Sequence, residues 1–434
     1  MKKIFFPIDA VIFLVLYCAL ALWLAVVTVY SAFNPRKKKI GKKMLELAHY
    51  NINDIEREGL SHPVFEYDLG GYFENIVTVI FSTTDTKESD KIYKPFHRII
   101  SVPQQPEGIL RRLGFSKTNF ALSVIRLLSK CVKAAKEEKA TFFRAQDPHM
   151  LGLAAFLCSA IAGIPYTIHV LQNYDISTRR VQRIVFPPFI FRSVENGIER
   201  MILKNALFVT AGCANYKFYA LSHGAMPESV FSSRMPAGKA HLKEPALRKD
   251  LKGELGLSGK RVILYVGRLE KVKFVEDLIL CFKEVAVLAD DARLVIAGMG
   301  SLGEDLKAMA RRSGLENKTL FLGKVSRDRL VDLYYTADVI LFTHAGVTIV
   351  EALLAEKPVV AYDHDWAGEV TGYNERGLLA QFRDFRALAR CVTEILNDKE
   401  RAASLGSAGR KFALSYFTRD VISGIERAAF ERFE

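Results

Sequence analysis

Residues 339–369, VILFTHAGVTIVEALLAEKPVVAYDHDWAGE, constrain this chain more than any other stretch. A short apolar run over 339–342 reads as a buried strand. It is followed by a loop bearing Gly346, a helix, and a second apolar run over 359–362 entered through Lys357-Pro358. Strand, helix and strand at this spacing make one βαβ unit, because two parallel strands need a crossover. The loop at the carboxyl end of the first strand opens a helix through Gly346, where backbone N–H groups face an anion. Glu351, one turn further, can accept hydrogen bonds from sugar hydroxyls beside that anion, although a first-turn acid also suits the helix dipole without any ligand. Phosphate next to ribose describes a nucleotide.

The same alternation runs through most of the chain. The spacing predicts a helix over 42–58 and strands over 64–69, 76–81 and 97–102. Then come helix 119–136, strand 140–145, helix 150–162, strand 166–170, helix 189–205 and strand 206–210. Pro236-Ala237-Gly238 and the polar residues 239–260 break the rhythm and read as a linker. A second series follows: strand 261–266, helix 275–288, strand 293–297, helix 302–313, strand 319–322 and helix 328–336, leading into the opening unit. Helices over 385–397, 399–415 and 419–433 follow it. Strands separated by helices of this length imply parallel, doubly wound sheets. The expected division is a membrane anchor and basic collar over 1–43, a first Rossmann-like domain over 44–238 and a linker over 239–260. A second Rossmann-like domain spans 261–412, and a helical segment over 413–434 returns to the first domain.

Residues 10–33 contain no charged side chain, and this run exceeds the ~20 apolar residues that cross a bilayer. It is expected to be a transmembrane helix; a cleaved signal peptide is the competing reading. Lys2 and Lys3 precede it, whereas Arg36, Lys37, Lys38, Lys39, Lys42 and Lys43 follow, so the positive-inside rule puts the globular part on the cytoplasmic face. The formal net charge of +13 favours anionic partners. No basic module interleaved with aromatics to read bases is apparent, so nucleic acid is not an expected partner. The six cysteines form no C-x-x-C pair, which argues against a disulfide framework or zinc site. Arginines and large aromatics over 179–192 suit either a lipid-docking face or an ordinary amphipathic helix.

Gly267-Arg268-Leu269 follows a strand, and Lys273 lies at the start of the next helix. Both cations project from the sheet edge that carries Gly346, and two cations with helix-terminal amides suit a diphosphate. Gly298-Met299-Gly300 is a tight turn. Asp363-His364-Asp365 has no further ligand at suitable spacing, so no metal is expected. His169 ends a strand in the first half and is a candidate for a cleft between the domains, although a lone histidine is more often structural.

In order and spacing, several of these pieces resemble the retaining nucleotide-sugar glycosyltransferases of family 4, whose GT-B architecture has two facing Rossmann-like domains. They are Gly267-Arg268-Leu269 with Lys273, Ala297-Gly298-Met299-Gly300, Phe321-Leu322-Gly323, Gly346 to Glu351-Ala352-Leu353, and Pro358 to Asp363 with Glu369 and Gly377-Leu378-Leu379. Asp147-Pro148-His149, Gly163-Ile164-Pro165 and Pro236-Ala237-Gly238 match more loosely. The resemblance implies that Arg268 and Lys273, beside Gly267, bind the donor diphosphate. It further implies that Gly346, Val347 and Thr348 offer amides to the distal phosphate and sugar, and that Glu351 holds the ribose. Backbone from Gly323 to Val325 would meet the base, and His169 would lie near the transferred sugar. Such enzymes need no protein nucleophile. The chain departs from the family in three places: Thr343 stands where the first of two glutamates eight positions apart is usual, Phe274 where a glycine commonly follows the lysine, and the family's first strand with its glycine-rich turn has no clear match before Tyr72.

The expected function is membrane-anchored, retaining transfer of a sugar from a UDP- or GDP-sugar to a lipid-linked or polysaccharide-precursor acceptor, with no cofactor. The rival is a non-catalytic, membrane-tethered scaffold that keeps the fold, motivated by Thr343.

Overall fold

The computed structural model describes residues 8–16, 18–19, 26, 39–49, 68–176, 192–233 and 248–434. Fourteen strands form two sheets among them. The first contains β1 (Lys43–Ala48), β2 (Asn75–Ser82), β3 (Ser89–Lys94), β4 (His97–Pro103), β5 (Phe142–Ala145), β6 (Tyr166–Val170), β7 (Val209–Ala211) and β8 (Val230–Ser232), in the order β3-β4-β2-β1-β5-β6-β7-β8. The second contains β9 (Arg261–Val266), β10 (Ala292–Ala297), β11 (Thr319–Gly323), β12 (Val339–Phe342), β13 (Val359–Asp363) and β14 (Leu378–Gln381), in the order β11-β10-β9-β12-β13-β14. All pairings are parallel except β3 with β4. This is a two-domain α/β fold of the GT-B type.

Parallel strands covered by helices on both faces become continuous apolar runs. In β2, Ile76, Val77, Val79, Ile80 and Phe81 are all buried, and β9 and β12 follow the same rule. β1 corrects the helix expected over 42–58. Met44, Leu45, Leu47 and Ala48 are buried on both faces of a strand inserted between β2 and β5. The apolar spacing of this segment also fits a helix, and six residues are too few for periodicity to decide. Residues 50–58 lie outside the described residues. So do 64–67 of the strand expected over 64–69, whose last residue, Leu69, sits in a turn with φ 56°. β7 starts later than expected, and neither the polar edge strand β3 nor the three-residue β8 was anticipated.

In each sheet the chain reverses direction of travel beside its first strand, between β1 and β5 and between β9 and β12. Such switch points open a crevice at the carboxyl edge. The helix Arg419–Glu431 lies on the first domain. Phe430 is fully buried among Ile40, Met44, Phe73, Phe142 and Phe208, and Ile40 N–H donates to the Phe433 carbonyl at 2.9 Å. Glu426 accepts from Arg144 at 3.2 Å and from the Ser233 hydroxyl.

Among the described residues no helix is long and apolar enough to cross a membrane. The span expected over 10–33 falls mostly outside them; residues 10–16, 18, 19 and 26 are helical. Just before it, Asp9 is buried and accepts the backbone N–H groups of Lys117 and Thr118 at 3.1 and 2.9 Å, capping the first turn of the helix Ser116–Glu137. Residues 177–191 and 234–247 also lie outside the described residues.

Candidate functional site

β9 and β12 are hydrogen-bonded neighbours, so the loops that leave their carboxyl ends share one crevice. The β9 loop carries Gly267 and Arg268, then a short turn, Lys271–Lys273. The loop after β10 presses against it. A Cβ on Gly298 (φ 155°) would stand 1.8 Å from the Gly267 carbonyl oxygen, and one on Gly300 would stand 2.3 Å from that of Leu269. These glycines therefore let two backbones touch, and the close approach fixes the Arg268 loop.

From the β12 side, Gly346 caps the helix Val347–Leu354. The Lys273 ammonium lies 3.8 Å from the position a Cβ on Gly346 would occupy, and its Nζ is 3.3 Å from His344 Nδ1. A cation thus sits at the positive end of a helix, an arrangement that repels itself until an anion arrives. Arg268, Lys273, His344, Gly346 and Val347 line a cavity of about 370 Å³. The first domain supplies its facing wall through Leu171, Gln172, Gly212 and Tyr216. The two domains also meet directly at its edge. Asn215 and the Tyr216 hydroxyl donate to Asp365 at 3.1 and 3.5 Å, and Ala214 N–H donates to Glu369 at 2.7 Å.

Thr343 does not reach this cavity. It is fully buried, and its hydroxyl donates to the Lys273 carbonyl at 2.7 Å, tying the end of β12 to the lysine turn. Phe274 ends that turn with φ 53°, ψ 39°, a left-handed conformation that favours glycine. Its ring meets Phe382 edge-on at 5.1 Å and Arg383 at 4.9 Å. Glu351 is buried, and its carboxylate accepts from the Tyr334 hydroxyl at 3.0 Å. Burial and then the charge of Glu351 push the Tyr334 phenol well above its ordinary range, so it remains a donor. Sequence reasoning missed Tyr334, because an inward aromatic on the helix Arg327–Thr336 is ordinary core.

The other expected site residues lie further out. Gly323 (φ 65°) ends β11 and its carbonyl accepts from Gly298 N–H at 2.9 Å. Val325 packs at the edge of the core, and Thr348 lies beside Gly346. None of Gly323, Val325, Thr348 and Glu351 lines the cavity, nor does His169. His169 is buried in β6 with Nδ1 2.7 Å from the Thr210 hydroxyl. Burial, and then the charge of Arg144, hold its imidazole well below the ordinary value, so the ring is neutral. Of the run 363–365, Asp365 joins the domains and His364 stacks on Phe382 at 4.0 Å.

A buried ionic cluster lies in the first domain. His149, Glu195 and Glu199 converge closely enough to ligate a cation. Arg192, however, already pairs with Glu195 at 2.6 Å and Glu199 at 2.7 Å. Burial alone would raise the Glu199 carboxyl, but His149 and Arg192 outweigh it and hold it below its ordinary value. Nearby, His49 pairs with the buried Asp147 at 3.2 Å.

Residues 248–412 match the family described as "Glycosyl transferases group 1". The GDP-mannose-dependent alpha-(1-6)-phosphatidylinositol monomannoside mannosyltransferase of Mycobacterium tuberculosis is 28% identical over 191 residues, 42% of this chain and 50% of that protein. The chain therefore spans half the length of that relative. The 2-deoxystreptamine glucosyltransferase of Streptomyces kanamyceticus is 27% identical over 326 residues, covering 70% and 81% of the two chains. Among solved structures, Anabaena Alr3699/HepE in complex with UDP superposes with a TM-score of 0.68 at 19% identity, covering 90% of this chain and 100% of that one. Sucrose-phosphate synthase from Thermosynechococcus elongatus gives 0.71 at 15% identity over 90% and 98%. These structural likenesses concern the fold.

Proposed function

We propose that this chain is a retaining glycosyltransferase of the family-4 kind, moving a sugar from a UDP- or GDP-sugar to a lipid-linked or glycan acceptor. The observation that carries the reading is the convergence of Lys273, Arg268 and the helix end at Gly346 on one cavity between two domains. Anionic charge arriving there relieves repulsion among groups already fixed in place. A departing diphosphate gains more than the intact donor, because negative charge builds on it as the glycosidic bond breaks; preorganised donors of this kind lower the barrier. Arg268 and Lys273 take the diphosphate in this reading. Gly346, Val347 and Thr348 receive the distal phosphate and sugar, and Glu351, aligned by Tyr334, receives the ribose. Gly323 and Val325 border the base, and the neutral His169 lies near the transferred sugar without donating a charge.

Residues 44–238 form the acceptor domain and 261–412 the donor domain in this proposal. The apolar run over 10–33 and its basic collar hold the protein at the cytoplasmic face of a membrane, which suits a lipid acceptor. The mycobacterial relative, named for a phosphatidylinositol mannoside, supports that acceptor class. Thermal stabilisation measured against a panel of nucleotide sugars tests the donor, since a ligand at 100 times its Kd adds about 2.7 kcal/mol. Stabilisation by none of them, together with unchanged sugar transfer in Lys273→Ala and Glu351→Ala, would overturn the proposal.

A further inference from the structure

His344 stands in the cavity wall, whereas the neighbouring Thr343 side chain turns to the Lys273 carbonyl. Its Nδ1 lies 3.3 Å from the Lys273 ammonium. An ammonium group only donates, so Nδ1 is the acceptor in this contact, and the ring's single proton resides on Nε2. The neutral ring thereby holds Lys273 over the helix end at Gly346. Beside it lies His364, edge-on at 6.2 Å, which is in turn stacked on Phe382.

Among the described residues that line the cavity with this ring, the charged side chains are Arg268, Lys273 and Asp365. Arg268 and Lys273 come from the β9 loop, and the helix end from the β12 loop. The β13 loop brings His364 and Asp365, whose carboxylate is engaged by Asn215 and Tyr216. With the cavity empty, a second positive charge on His344 is opposed by Lys273 at hydrogen-bond distance. A diphosphate reverses that balance: it adds negative charge beside the ring and draws the lysine's protons to its own oxygens.

We infer that His344 is a proton-linked positioning residue for the donor. It is neutral and bonded to Lys273 before the nucleoside-diphosphate sugar binds. Once the sugar nucleotide is bound, it is protonated and donates towards the diphosphate. One proton passes from solvent to Nδ1, and no covalent bond is made or broken. The inference rests on the proposed donor reading and adds to it a pH dependence carried by one residue.

Calorimetry on the full chain tests it, with UDP-glucose and GDP-mannose as probes because their diphosphate diesters do not titrate near neutrality. Paired buffers of different ionisation heat count the protons taken up. Affinity is expected to rise about fivefold or more from about pH 8 to about pH 5.5, with net proton uptake on binding within that window. His344→Gln and His344→Asn, which cannot titrate, should bind with neither uptake nor pH slope, and His344→Lys should bind at pH 8 as the parent does at low pH. A slope that persists in both neutral variants overturns the inference, as does binding by the parent chain without proton uptake. No binding of either probe, or of free UDP and GDP, would instead remove the donor reading itself.

Discussion

Phe274 offers a direct test of how the lysine turn is held. Its φ of 53° and ψ of 39° place an L-residue where a left-handed backbone costs roughly 1–2 kcal/mol. The ring contacts with Phe382 and Arg383 offset this cost, an aromatic pair contributing about 0.5–1.5 kcal/mol and an exposed cation–π contact about 0.5–1 kcal/mol. Phe274→Ala removes the ring and keeps the strain, so it should cost about 2 kcal/mol. Phe274→Gly removes both. Glycine's extra freedom in the unfolded chain takes back part of the gain, about 0.5–1 kcal/mol. The glycine variant should therefore be more stable than the alanine variant by about 0.5–1 kcal/mol, opposite in sign to their order in a helix or strand. For a domain of this size that difference is a shift of about 1–4 °C in the melting temperature. Thermal unfolding of the two variants, followed with and without UDP, measures it. If alanine matched or exceeded glycine, the ring would not be compensating a strained backbone, and the account of why this turn departs from glycine would fail.

Removing the Lys273 ammonium, as in Lys273→Ala, should weaken nucleotide-sugar binding by about 1.5–3 kcal/mol, or roughly 10- to 150-fold, which titration calorimetry reads directly. Tyr334→Phe leaves the buried Glu351 carboxylate one donor short. It should destabilise the fold by about 1–3 kcal/mol in urea unfolding and raise KM for the donor more than it lowers kcat. The His49–Asp147 pair carries a pH dependence of stability. Burial alone would lower the His49 imidazole, but Asp147 outweighs it and holds the ring above its ordinary value. Burial would likewise raise the Asp147 carboxyl, and His49 and His149 hold it below. The histidine contribution is thus complete below about pH 6.5 and fades as pH rises through the elevated folded value; the aspartate contribution is complete above about pH 4 and fades on acidification. His49→Gln should flatten the neutral-to-alkaline limb of a stability-versus-pH curve, and an unchanged limb would dissociate this pair from it.

Much of the second domain was legible because its parallel strands are buried on both faces and its helices are long, so each element leaves an unbroken signature. The βαβ unit around Gly346 and the two cations after β9 could be placed at one sheet edge from chain order alone. What could not be read were facts of approach between distant segments. β1 shows too few residues to separate strand from helix until β2 and β5 flank it. Thr343 and His344 are adjacent in sequence, yet one turns to the Lys273 carbonyl and the other to the cavity. Tyr334 meets Glu351, and Asp9 meets Lys117 and Thr118, across separations that no local pattern records.

The helix Arg419–Glu431 also bears on how the protein is made. Phe430 closes an apolar wall whose other members, Ile40, Met44, Phe73, Phe142 and Phe208, all precede the second domain in the chain and leave the ribosome before any of it. At ~5–20 residues per second, the roughly 220 residues between Phe208 and Phe430 take ~10–40 s to synthesise, and throughout that interval the wall lacks its last partner. Folding from the amino terminus forward cannot finish the first domain. The second domain must mature while the first is still incomplete, so nascent-chain chaperones would meet their longest-lived apolar target at the surface that residue 430 later covers.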